Sequence, residues 1–158
     1  MHGDFTIGER RGMHYTTLTS AIKDLVSRGG DGPVRLLLSA GTYDEALSLP
    51  DIAGLSETNT LTIEPISGHR GEVTLTNTHY RKVDYGDNKP GYFNLEGADY
   101  VTLRALTFTS EKSDAPALLL VQIGRAHIFV SIFMVTQHQQ TYAKNRQTKK
   151  KHMRFVLK

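Results

Sequence analysis

The stretch NTHYRKVDYGDNKPGY, residues 77–92, gathers the residue types in this chain best suited to binding chemistry. Tyr80, Tyr85 and Tyr92 stand beside Arg81, Lys82, Asp84, Asp87 and Asn88. Aromatic faces stack on sugar rings, while guanidinium, carboxylate and amide groups hydrogen-bond hydroxyls and acidic substituents. A long polar loop carried on a rigid scaffold is a natural contact for a carbohydrate. Tyr80, Arg81, Lys82, Asp84, Tyr85, Asp87 and Tyr92 are therefore the candidate ligand-binding set. The competing role for them is structural, the tyrosines packing back onto the scaffold.

No catalytic constellation accompanies this loop. The seven histidines (2, 14, 69, 79, 127, 138 and 152) show no H-x-x-x-H or H-E-x-x-H spacing. There is no G-x-S-x-G, no P-loop and no G-x-G-x-x-G. Asp44 and Glu45 are adjacent, and neighbours on a strand point to opposite faces, so they do not form a carboxylate pair. A structural role at a corner is expected for both. The sequence thus offers no catalytic residue, no metal ligand and no cofactor site.

Composition sets the outer bounds. The chain has 158 residues with 39% apolar and 22% charged side chains, suiting one domain with a sizeable core. There is no cysteine, hence no disulfide scaffold. No apolar run is long enough to span a membrane. The opening MHGDFTIGERRG has no apolar h-region, so no secretory signal is expected in this chain. Charge is unevenly spread. Residues 1–136 hold 12 of the 19 Lys/Arg and all 16 Asp/Glu, while residues 137–158 hold the other seven Lys/Arg and no acid. The first part is expected to carry the fold and the second to be a basic, disordered tail. Tyr142 and Phe155 lie among the tail's cations, but no nucleic-acid-binding motif accompanies them. Only non-specific, salt-sensitive contact with nucleic acid is expected. No feature specifies an oligomer.

Elements must position these residues. TTLTSAIKDLVSRGG (16–30) predicts one amphipathic helix. Leu18, Ala21, Ile22, Leu25 and Val26 share a face, Thr16 or Thr17 caps the start, and Gly29-Gly30 ends it. From Val34 the pattern turns to short alternating strands: VRLLL, ALSLP, LTIEP, VTLT, YFNLE, YVTLR, LTFT and ALLLV. No second helix intervenes, which argues against a doubly wound α/β sheet. A β-sandwich and a solenoid remain.

The stretch GADYVTLRALTFTS favours the solenoid. Arg104-Ala105 separates two strands without the turn residues a hairpin needs. In a solenoid each strand pairs with the coil above or below, so Arg104-Ala105 is a corner and Val101, Leu103, Leu106 and Phe108 all point inward. Residues 97–109 also align with 124–136 at an offset of 27, and the triplets at 61–63 and 73–75 repeat 12 apart.

These residues resemble the right-handed parallel β-helix domains of the pectin-lyase-like superfamily in bacterial surface and secreted proteins, and more distantly the opening of pectinesterases. DFTIG opens the chain, and YTTLTSAIKDL is similar to the family's N-terminal cap helix. GPVRLLLSAGTYDEALSLP is similar to a first coil with its G-x-Y-x-E element, and GADYVTLRALTFTS to a repeating coil. The resemblance runs over about residues 4–110. It implies an all-β fold: a short right-handed parallel β-helix with an N-terminal capping helix over residues 1–136, and a truncated or irregular C-terminus. After Thr136 the coil pattern stops, as a shifted reading frame would produce.

The resemblance also implies an extracellular or cell-surface location and a polysaccharide as partner. The catalytic motifs of pectinesterases, Gln-containing and DFIFG-like, are not found, so no catalytic residue is carried over. The leading expectation is a non-catalytic module of an exported bacterial protein, glycan-contacting or a surface scaffold. The alternative is the N-terminal fragment of a polysaccharide lyase or pectinesterase that lacks its catalytic coils.

Overall fold

A computed structural model describes residues 1–76 and 93–109, together with the backbone of the strands Leu118–Val121 and Tyr142–Lys144. A strand that the sequence reading did not separate out, β1 (Gly3–Ile7), precedes the helix α1 (Leu18–Arg28). Then follow β2 (Val34–Leu38), β3 (Gly41–Asp44), β4 (Leu47–Pro50), β5 (Leu61–Pro65) and β6 (Val73–Thr76). The last are β7 (Phe93–Glu96), β8 (Val101–Leu103), β9 (Thr107–Phe108), β10 (Leu118–Val121) and β11 (Tyr142–Lys144).

From β2 to β7 each strand pairs with the one three places further along the chain. One sheet has the order β1-β2-β5-β8, a second β3-β6-β9, and a third β11-β10-β7-β4. Every pairing between these strands is parallel. That sets aside the β-sandwich, whose sheets are antiparallel. The chain turns a corner after each strand and visits the three sheets in rotation. β11 lies within the basic segment, whose other residues are outside those described.

Parallel register places like on like. Val34, Leu61 and Val101 stack in one row, and Leu36, Ile63 and Leu103 in the next. On the second sheet Tyr43, Leu75 and Phe108 line up. All of these except Tyr43 are buried. Alternate positions face out, where Thr42, Thr74 and Thr107 form a threonine row. Val34 meets Leu61, a step of 27 residues (34 to 61), whereas Leu61 meets Val101, a step of 40 (61 to 101). The longer step contains the polar residues 77–92. The internal repeat has the same 27-residue period, though its second half, 124–136, lies outside the described residues.

The corner at Arg104-Ala105 is as the spacing predicts. Ala105 takes a left-handed φ of 56°, turning the chain between β8 and β9. Val101, Leu103, Leu106 and Phe108 all point into the core.

Helix α1 packs against β1, β2 and β4. Thr17 is its N-cap, the hydroxyl accepting from Ser20 N–H at 3.1 Å. Gly29 ends it with φ +71° and donates its N–H to the Leu25 carbonyl at 2.8 Å. Leu18, Ala21, Ile22 and Leu25 are buried, each worth about 1.5–3 kcal/mol for a large side chain. Val26 departs from the sequence reading: it is 40% exposed. Its position lies at the rim of the apolar stripe, where the 100° step per residue carries it past the sheet edge. Ahead of the helix, the Tyr15 hydroxyl donates to the Asp24 carboxylate, which also accepts from Arg28 Nε at 2.8 Å.

Candidate functional site

The loop residues Tyr80, Arg81, Lys82, Asp84, Tyr85, Asp87 and Tyr92 lie outside the described residues. The strands on either side fix where the segment starts and ends. β6 ends in the second sheet at Thr76 and β7 begins in the third at Phe93.

The G-x-Y-x-E element is fully described, and it is structural. Tyr43 stands on β3 and sends its hydroxyl under the neighbouring coil. The hydroxyl lies 3.0 Å from both the Ile7 and Ser39 carbonyls and 3.1 Å from the Ser39 hydroxyl. Burial raises its phenol above the ordinary value of 10.0, against the lowering effect of the Ser39 hydrogen bonds. Glu45 turns the other way, toward the helix. Its Oε1 accepts from Leu18 N–H at 3.0 Å and its Oε2 from Thr19 N–H at 2.8 Å. Two of the N–H groups that the first turn of a helix leaves without internal partners are satisfied in this way. Asp44 points outward and is exposed. The two carboxylates thus have separate surroundings, as alternation along a strand requires.

A second charged arrangement escaped the sequence reading. Glu64, on the outer face of the first sheet, is 2% exposed and sits between two arginines. Arg35 donates to its Oε1 from Nε at 3.1 Å and Nη2 at 2.7 Å. Arg104 grips Oε2 from Nε at 2.7 Å and Nη2 at 2.5 Å. Arg35 also reaches Asp4 on β1 through Nη1, 2.9 Å away. The Glu64 hydrogen bond is the main cause that raises the Arg35 guanidinium further above its ordinary value. The four residues run across β1, β2, β5 and the end of β8 as alternating charges. With each carboxylate oxygen of Glu64 held by a different arginine, this ladder ties coils together. Period-two alternation puts Arg35, Glu64 and Arg104 on the outer face, but their meeting depends on register.

The described histidines do not gather. His2 lies 2.9 Å from Asp31, His14 bonds to Thr6, and His69 is 3.8 Å from Glu72. Among the described residues no group of three or more potential ligands could hold a metal ion. No helix among them is long and apolar enough to cross a membrane.

At the corner beside Tyr43 a polar cleft of about 580 Å3 opens. It runs between the turn after β1, the residues leading into α1, and β3.

Three parallel sheets visited in rotation, with an amphipathic helix packed near the start, give the chain a fold of the parallel β-helix kind. Two solved structures share it, both of the pectin methylesterase from Aspergillus niger. One is the deglycosylated form, with a TM-score of 0.57 and 21% identity. The other keeps an N-acetylglucosamine stub, with a TM-score of 0.54 and 20% identity. In both, 84% of this chain is covered, and it spans only 41% of the length of the esterase. No family model and no curated protein matches the sequence.

Proposed function

We propose that this chain is a non-catalytic, pectin-related β-helix module of an exported bacterial protein, contacting acidic polysaccharide or serving as a surface scaffold. In this reading the coils form a closed right-handed solenoid, Tyr80, Tyr85 and Tyr92 stack on sugar rings, and Arg81 and Lys82 meet uronate carboxylates. The observation that carries this reading is the likeness of the coiled parallel fold to pectin methylesterase over 84% of the chain. The extracellular location rests on the same likeness, one of the neighbours having been prepared from a protein that bears N-linked sugar.

Calorimetric titration with galacturonate oligomers tests it. Binding in the millimolar to micromolar range that weakens with salt is expected, along with a several-fold loss in Tyr80→Ala/Tyr85→Ala. No release of methanol or of unsaturated products is expected from esterified pectin. Absence of binding at low salt sinks the glycan contact, and turnover sinks the non-catalytic role.

A second reading has its own support. The chain spans 41% of the length of the neighbouring esterase, so it also suits the first coils of a polysaccharide-active enzyme whose catalytic residues stand on later coils. Activity on esterified pectin or polygalacturonate in a longer parent, but not in this chain, would favour that reading.

A further inference from the structure

We propose that His14 is an acid-released latch on the open edge of the first sheet. β1 ends the order β1-β2-β5-β8, so one side of its backbone faces no further strand of that sheet. Such an edge is a template for pairing with another chain unless something covers it. Gly3 N–H and Ile7 C=O serve the β2 side, bonding Pro33 C=O at 2.8 Å and Ser39 N–H at 2.9 Å. Thr6 and Gly8 turn their groups the other way, to residues 14 and 15. The Thr6 carbonyl accepts from His14 N–H at 3.0 Å and from Tyr15 N–H at 3.1 Å. Gly8 N–H donates to the Tyr15 carbonyl at 3.0 Å. The remaining group, Thr6 N–H, donates to a side-chain atom, His14 Nδ1, 3.1 Å away.

That bond assigns the proton on the imidazole. A backbone N–H can only donate, so Nδ1 offers a lone pair and the neutral ring carries its hydrogen on Nε2. The Thr6 hydroxyl lies 2.9 Å from the same nitrogen and can act as donor or acceptor. The Phe5 ring meets the imidazole edge to face, with centroids 5.7 Å apart.

Acid reverses one contact. His14 is exposed, so its ring exchanges protons with solvent. Imidazole becomes charged as pH falls from about 8 to about 5, and both nitrogens then donate. The Thr6 hydroxyl can turn and accept from the new Nδ1–H. The Thr6 N–H has no such freedom and is left facing a donor. The carboxylates of the bordering elements are engaged elsewhere, Asp4 of β1 with Arg35, and Asp24 of α1 with Tyr15 and Arg28. The other charged side chains nearby in sequence are Glu9, Arg10 and Arg11, and on α1 Lys23. Among the described residues none of these forms an ion pair with His14. The bonds to the Thr6 carbonyl do not involve the ring, so the release is local: one edge N–H opens while residues 14 and 15 stay attached.

Amide exchange of the full chain, followed by NMR at about pH 5 and about pH 7.5, tests the latch, with imidazole nitrogen shifts as a second readout. At the higher pH the shifts are expected to place the His14 proton on Nε2. Thr6 N–H should lose protection about fivefold or more at the lower pH, as for one lost hydrogen bond, while Phe5 and Ile7, bonded toward β2, keep theirs. His14→Asn puts an amide oxygen where Nδ1 stood and should protect Thr6 equally at both pH values. His14→Phe keeps a ring without an acceptor and should leave Thr6 poorly protected at both. A proton on Nδ1 at the higher pH, Thr6 protection indifferent to acid, an acid loss in His14→Asn equal to that of the native chain, or full protection in His14→Phe each overturns the proposal.

Discussion

Arg104 and Glu64, forty residues apart in the chain, meet through two N–H donors on a single carboxylate oxygen, at 2.7 and 2.5 Å. Arg35 makes the matching grip on the other oxygen. Three coils are clamped at one point. Either arginine alone leaves Glu64 with a charged partner, so Arg35→Ala or Arg104→Ala should each cost only about 1 kcal/mol, both guanidiniums being about half exposed. Removing both strands a carboxylate that is 2% exposed and should cost about 3 kcal/mol or more. Urea denaturation of the two single variants and the double variant checks this, and simple additivity would contradict the clamp.

Glu45 is expected to hold the helix in place. Glu45→Ala withdraws the acceptor for two backbone N–H groups and should lower stability by about 1–3 kcal/mol. Hydrogen exchange should speed up at Leu18 and Thr19 before it does in β5. Uniform exchange through both elements would show that the tether adds nothing local.

Gly54 presses against the end of the helix. It has φ +85°, and a Cβ there would sit 2.0 Å from the Gly30 carbonyl oxygen. A side chain therefore meets both a left-handed backbone and fixed backbone atoms, and Gly54→Ala should cost more than about 2 kcal/mol. Gly68 also has a positive φ, of +72°, but its Cβ would meet nothing within 4 Å. Gly68→Ala should cost about 1–2 kcal/mol, so thermal melts that rank the two the other way would refute the close approach.

Tyr43 links stability to alkaline pH. Its folded value lies above the unfolded one, so the neutral phenol is the form the fold prefers. Its contribution is complete below the unfolded value near 10 and is lost as pH rises through the raised folded value. Stability should therefore fall as pH rises above about 10. Tyr43→Phe should be less stable at neutral pH, having lost the hydrogen bonds to Ile7 and Ser39, and should show a shallower alkaline decline. Parallel pH profiles for the two proteins would remove Tyr43 as a cause.

Local pattern carried much of the architecture. The spacing of Leu18, Ala21, Ile22 and Leu25 determines a helix with one apolar face, because 3.6 residues per turn leave those side chains no other common side. Alternation in VRLLL, LTIEP and VTLR determines strands. The missing turn between Leu103 and Leu106 determines that those strands do not pair with their neighbours in sequence. The segment Gly3–Ile7 was harder to see. It is a strand because β2 offers it an edge, and five residues before a loop show too little alternation to reveal that by themselves.

Only the tertiary structure decided which outward-facing charges meet. Arg35, Glu64 and Arg104 are separated by 29 and 40 residues, and their contact depends on how much chain each coil spends on its excursions. Likewise, Glu45 reads only as a corner residue until the chain comes back past the helix and places Glu45 against two of its N–H groups. Periodicity is a property of neighbours along the chain and can be read there. Register between coils is set by loop length and by the fit of the shared core, so the partners it creates exist only once the chain has stacked on itself.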